Sequence, residues 1–228
     1  MSLQLNSALI AIAAEFTGAY TPYQAVQISP GPDGGVFVAS TDKGNIACLA
    51  FDPAGTADQA INVLPTSDLT KAARGIKTAE REIAITNIAK ETCTAMATVT
   101  TIQKSANKSV EVPIQLSAAE FPPLANAMVS IISRWGKTPE MSATAGRYDA
   151  TYLQKAIKAL GGAHTSLTFS SLDGGPLRIQ SADQNVVIMI MPQTAEAIPP
   201  VPDWPRKLIY QEKNLSCLIL KGCFSLMR

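Results

Sequence analysis

The sequence predicts an α+β fold made of repeated units, each a short helix followed by antiparallel strands. Three observations predict it. Helical apolar spacing occurs in short stretches around residues 6–16, 67–77 and 149–160. Each stretch is followed by alternating apolar segments separated by Gly, Pro, Asp and Asn. The second and third units can also be overlaid at a constant offset of 84 residues. With 228 residues and 46% hydrophobic content, the chain can bury a sizeable core.

The first helix is expected over Asn6 to Phe16, with Leu9, Ile10, Ile12, Ala13 and Phe16 on its apolar side and Asn6 or Ser7 as N-cap. Strands follow at Tyr23–Ile28, Val36–Ala39 and Ile46–Phe51, with Ser29 to Gly35 rich in turn formers. The second unit opens with Ile61–Leu64 and a helix from Ser67 or Asp68 to about Lys77. Its strands are expected at Glu82–Thr86, Met96–Thr100 and Ser109–Ile114. The third opens with Thr144–Tyr148, a helix from Asp149 to Leu160, and strands at Ser166–Phe169, Leu177–Gln180 and Val186–Met191.

In the overlay Leu69 falls on Leu153, Lys71 on Lys155, Arg74 on Lys158, Ile76 on Leu160, Ile83 on Leu167 and Ile85 on Phe169. On a helical wheel Leu69, Ala72, Ala73 and Ile76 form one stripe, opposite Lys71 and Arg74 with Lys77 at the edge. Leu153, Ala156, Ile157 and Leu160 oppose Lys155 and Lys158 in the same way. A basic face of this kind is often simply solvated. Its recurrence at matching positions supports a duplicated unit.

Two stretches and a junction carry a family resemblance. Val26-Gln-Ile-Ser-Pro-Gly-Pro-Asp-Gly-Gly-Val-Phe-Val-Ala-Ser-Thr-Asp42 resembles the middle-domain segment of the bacterial DNA polymerase III beta subunit, the sliding clamp, that leads into its Ala-Thr-Asp-Gly-His-Arg loop. Tyr152–Leu160 through Val187-Ile-Met-Ile-Met-Pro192 resembles that family's last helix, strands and Met-Pro ending. Glu120-Phe-Pro-Pro123 is similar to the junction between its middle and last domains. Lys43-Gly44-Asn45 stands where the family has Gly-His-Arg.

The resemblance implies a DNA-clamp-type fold with a complete clamp-like domain over 1–120 and a reduced one over 121–193. Residues 194–228 would then form a Pro-rich linker and an apolar C-terminal tail, expected to pack on its own chain or a neighbour. The resemblance also implies a processivity factor that holds duplex DNA without reading bases, through Lys71, Arg74, Lys77, Lys155 and Lys158. It implies a peptide-binding pocket at Tyr23, Thr41, Ile46, Pro122, Met189, Ile190, Met191 and Pro192, where replication proteins dock through clamp-binding peptides. Core packing is the competing role for each of these eight residues.

Catalysis finds no support in the motifs. His164, the sole histidine, follows Gly161-Gly162-Ala163 with no recognisable nucleophile or carboxylate partner. Asp33-Gly-Gly35 and Asp173-Gly-Gly175 precede strands, which indicates hairpin turns rather than phosphate loops. The cysteines at 48, 93, 217 and 223 lack metal-ligand spacing, so no metal or cofactor is expected. A net charge of +1 leaves nucleic-acid contact to local clusters. No leader or spanning segment is recognisable, so a cytoplasmic protein is expected. Two readings follow: a clamp-like DNA-binding protein that closes a ring as a homo-oligomer, and a clamp-fold protein-interaction module that does not encircle DNA.

Overall fold

Strand exchange between two successive units organises the molecule. The computed structural model describes residues 2–76, 79–103, 106–122, 147–162, 166–171, 175–183 and 185–193. The expectations for Lys77, Thr144, His164 and the C-terminal tail therefore lie outside the described residues. The first unit comprises β1 (Leu3–Asn6), α1 (Ser7–Ala14), β2 (Val26–Pro30), β3 (Val36–Thr41) and β4 (Ile46–Asp52), with a two-residue β5 at Thr56–Ala57. The second comprises β6 (Ile61–Leu64), α2 (Ser67–Ala73), β7 (Glu80–Ala89), β8 (Thr94–Ile102) and β9 (Lys108–Leu116). The third contributes α3 (Ala150–Gly161), β10 (Leu167–Ser171), β11 (Leu177–Ser181) and β12 (Val186–Ile190).

Each unit's opening strand pairs with the first strand after the other's helix. β1 lies beside β7, with Leu5 opposite Ile83, and β6 beside β2, with Val63 opposite Val26. This reciprocal pairing makes the two units one folding body, because neither sheet is complete without the other's strand. All strand pairs are antiparallel, in the order β10-β11-β12-β4-β3-β2-β6-β9-β8-β7-β1-β5. The seam between β4 and β12 carries the sheet straight across the domain boundary expected near residue 120, with Cys48 opposite Ile188 and Ile46 opposite Ile190. The described residues all fall within one compact unit, Met1–Thr194.

Local chemistry explains the element boundaries. The Asn6 side chain caps α1 by accepting from the Ala8 amide at 3.0 Å, and the Asp149 carboxylate caps α3 by accepting from the Thr151 amide at 2.7 Å. Between β2 and β3 the chain reverses at Gly34 and Gly35, with φ of 98° and 75°. A Cβ at Gly35 would lie 2.6 Å from the Phe51 ring and 2.7 Å from the Asp52 carbonyl, so only glycine fits that turn. α1 is apolar nearly all round because it packs on β2, β3, β4, β7 and α2. Its few polar contacts are buried and paired: Ser7 Oγ donates to the Ala73 carbonyl at 2.9 Å, and Ser40 Oγ to the Ala13 carbonyl at 2.7 Å. The Asp52 carboxylate accepts from the Asn6 amide at 2.6 Å and the Ala54 amide at 3.0 Å, tying the end of β4 to the start of α1.

Four local expectations are corrected. α2 stops at Ala73 rather than near Lys77, because Arg74 turns to ψ 127° and the Arg81 guanidinium takes the carbonyls of Ala72 (3.1 Å) and Arg74 (2.8 Å). Ile76 therefore leaves the helical stripe and is exposed. Ile157 is 49% exposed rather than part of the buried stripe of α3, whose fully buried residues are Ala156 and Leu160. Tyr23 precedes β2 instead of opening it.

Candidate nucleic-acid interface

The three helices meet at a groove of about 130 Å³. Ala8, Ala11, Ile12 and Glu15 of α1 and its cap form one wall. Arg74 and Gly75 from the end of α2, with Lys158, Ala159 and Gly162 from the end of α3, form the rest. Small side chains shape this floor. A Cβ on Gly75 would stand 3.1 Å from the Ala8 Cβ, so glycine lets the chain leaving α2 pass close along α1. Arg74 Nη2 lies 3.6 Å from Glu15 Oε1, the Arg74 side chain being exposed and that of Glu15 half-buried.

The structure thus brings two of the sequence-predicted cations, Arg74 and Lys158, onto one groove, although they come from units 84 residues apart. Lys71 is exposed on the last turn of α2 and Lys155 is half-buried on α3. Lys71, Lys155 and Lys158 form no ion pair among the described residues. The exposed ammonium groups of Lys71 and Lys158 remain available to an external anion. Sequence reasoning missed Glu15, which fell inside the expected first helix and stands one residue past the end of α1 in the structure.

The predicted peptide pocket gathers around the β3–β4 hairpin. Thr41 Oγ1 donates to the Ile46 carbonyl at 2.8 Å and accepts from the Gly44 amide at 3.2 Å, closing a turn in which Lys43 and Gly44 have positive φ. Gly18 donates its amide to the Tyr23 carbonyl at 2.8 Å, and a Cβ on Gly18 would meet the Tyr23 Cβ at 2.9 Å and the Asp42 Cα at 3.3 Å, which sets Tyr23 beside the hairpin. From the other side, the Met191 amide donates to the Asn45 carbonyl at 2.9 Å. Tyr152 of α3 reaches the same turn. Burial pushes its phenol above the ordinary range, and the Asp42 carboxylate that it meets adds to the shift.

Burial divides these eight residues. Thr41, Ile46, Met189 and Ile190 are buried, the last three at the β4–β12 seam and Thr41 on β3 opposite Ala47, where they hold strands together. Tyr23, Pro122 and Pro192 are half-buried and Met191 is 45% exposed, so the accessible surface comes from these four. Pro122 lies outside the strands and the turn that build the hairpin cluster. Its neighbouring segment instead runs beside β6, where Asn62 Nδ2 donates to the Ala119 carbonyl at 2.9 Å.

No protein-family model matches the chain, and no curated protein matches it in sequence. Solved structures do match. The DNA polymerase III subunit beta of Borrelia burgdorferi, solved with a natural product, superposes with a TM-score of 0.54 at 8% identity, covering 86% of this chain and 65% of that one. The sliding clamp of Pseudomonas aeruginosa, solved with a ligand, gives 0.52 at 9%, covering 85% and 66%. A putative beta subunit from Eubacterium rectale gives 0.51 at 8%, covering 87% and 66%. The chain has the sliding-clamp fold. It spans about 65% of the length of the clamp chains it matches.

At 8% identity the likeness lies in the fold, which a pattern of burial can specify without particular side chains. Leu69, Ile83, Ile85, Ile179 and Ile188 are all fully buried within one core. The cysteine at the seam is part of it. Burial pushes the Cys48 thiol up to about 12, which keeps it protonated and inert inside the clamp sheet. No described helix is long and apolar enough to cross a membrane. Among the described residues, no cluster of three or more His, Cys, Asp or Glu could hold a metal ion.

Proposed function

We propose that this clamp-fold chain holds duplex DNA weakly and without sequence preference, as a processivity factor does, using the helix-lined face. The observation that carries the reading is the convergence of Arg74 and Lys158 on one groove between the helices, with Lys71 exposed on the last turn of α2. Side chains of this kind contact phosphates, release counterions and leave the bases unread. The division into a complete unit over 1–120 and a reduced one over 121–193 belongs to the same proposal, as does closure of a ring by several copies.

The test replaces Lys71, Arg74, Lys155 and Lys158 together by Glu. Wild-type protein should bind a short duplex at low salt, with log affinity falling by about 0.9 per log unit of salt for each phosphate contacted, hence a slope of roughly −2 to −4. The fourfold variant should keep its fold and lose that binding. Wild-type protein that shows no duplex binding even at low salt would remove the reading.

Docking of replication proteins through short peptides is the second part of the proposal, and it rests on the accessible residues Tyr23, Met191 and Pro192 beside the hairpin. A clamp-binding peptide should bind weakly, because Thr41, Ile46, Met189 and Ile190 are committed to packing. Met191→Ala should weaken it further, and equal affinity in the two proteins would remove these residues from the site.

Two observations favour an interaction module that does not encircle DNA. α1 carries no basic residue, and Arg74 is already paired with Glu15. A folded fourfold variant that retains peptide binding, beside a wild-type protein that ignores DNA, would establish that alternative.

A further inference from the structure

Glu15 is the one carboxylate among the residues that line the helix groove. It occupies the C-cap of α1, where the helix presents its carbonyl ends and partial negative charge, and α1 has no basic residue in its last turn. A carboxylate there is electrostatically misplaced. Its side chain is 36% exposed and its partner Arg74 is 65% exposed, so the pair is not needed to bury either charge. Lys158 lines the same groove. Two cations and one carboxylate leave the groove only weakly positive. Glu15 supplies the one opposing formal charge among the lining residues.

We propose that the groove between α1 and α3 seats a single phosphate, and that Glu15 is a built-in competitor for Arg74 that keeps this contact weak. The inference rests on the DNA-holding reading and deepens it by assigning the residue that sets the strength of the grip. A phosphate entering the groove takes the place of the Glu15 carboxylate on the Arg74 guanidinium, where bidentate hydrogen bonding suits a phosphate as well as a carboxylate. Small walls at Ala8, Ala11, Gly75 and Ala159 leave room for the entering oxygens beside Lys158. A protein that must move along DNA gains from such a competitor, since each phosphate is released as readily as it is bound.

The experiment compares Glu15→Gln with wild type and with Glu111→Gln, a control of equal net charge on exposed β9. Duplex DNA and inorganic tripolyphosphate serve as separate probes over a salt series. Glu15→Gln should tighten both by roughly three- to tenfold at low salt and steepen the duplex slope by about 0.9, one further phosphate contact. Glu111→Gln should change neither appreciably. In an Arg74→Gln background the gain from Glu15→Gln should largely vanish, because the two residues then no longer couple. Duplex binding that is the same in wild type and Glu15→Gln overturns the inference and leaves the DNA reading standing. Tighter tripolyphosphate without any duplex binding keeps the phosphate seat and overturns the DNA reading. Failure of both probes in every form overturns both. The glutamine variant is expected to fold normally, since it removes a carboxylate from a helix C-terminus, and thermal melting checks this.

Discussion

Phe16→Ala should lower the unfolding free energy by about 3–5 kcal/mol, the range for emptying the site of a fully buried aromatic ring. Phe16 is the largest fully buried side chain among the described residues. It follows the end of α1, where its amide donates to the Ala13 carbonyl at 3.0 Å, and its ring belongs to the core shared by strands of all three units. The surrounding residues are held by strand pairing and can collapse only partly into the cavity. Urea unfolding should show a lower midpoint with an unchanged slope, the signature of lost stability without a changed unfolded state. A loss below about 1 kcal/mol would mean that the ring is not packed as described.

Ile188→Ala at the β4–β12 seam should cost about 2–5 kcal/mol and should act unevenly. Ile188 is fully buried opposite Cys48, also fully buried, so shortening it opens a void in the strand pair that joins the third unit to the first. Backbone amides of β10, β11 and β12 should then exchange hydrogen faster than those of β7, β8 and β9, whose pairing does not involve the seam. Equal acceleration in both groups would show that the seam is not the weak line. Loss of duplex binding in step with this opening would further tie the proposed DNA grip to the third unit, because Lys158 would leave the groove it shares with Arg74.

Much of the fold was legible because its signals are local. The hairpin at Asp33-Gly-Gly35 follows from residues that tolerate positive φ, and the structure places Gly34 and Gly35 there. Asn6 was readable as a cap, with Ser7 as the alternative, because a short side-chain acceptor before an apolar helical pattern has few other uses, whereas Asp149, expected as the first helical residue, is a cap in the structure. The end of α2 was not legible. It depends on Arg81, eight residues past the last helical residue, folding back onto carbonyls that a local pattern would assign to a continuing helix.

The sequence by itself determined the kind of the three helices and of the longer strands, though not the short β1 and β5, and the basic positions at matching places in two units. It also determined that some apolar strand would run from Val186 to Met191. Only the tertiary structure decided that β1 joins β7 and that β12 joins β4, pairings across about 80 and 140 residues of sequence. That choice also turned Thr41, Ile46, Met189 and Ile190 from candidate pocket residues into core, and placed Glu15 beside Arg74 and in the groove with Lys158. The physical reason is the same throughout. Periodicity tells which side of an element is apolar, whereas solvent access and charge partners depend on which distant element covers that side.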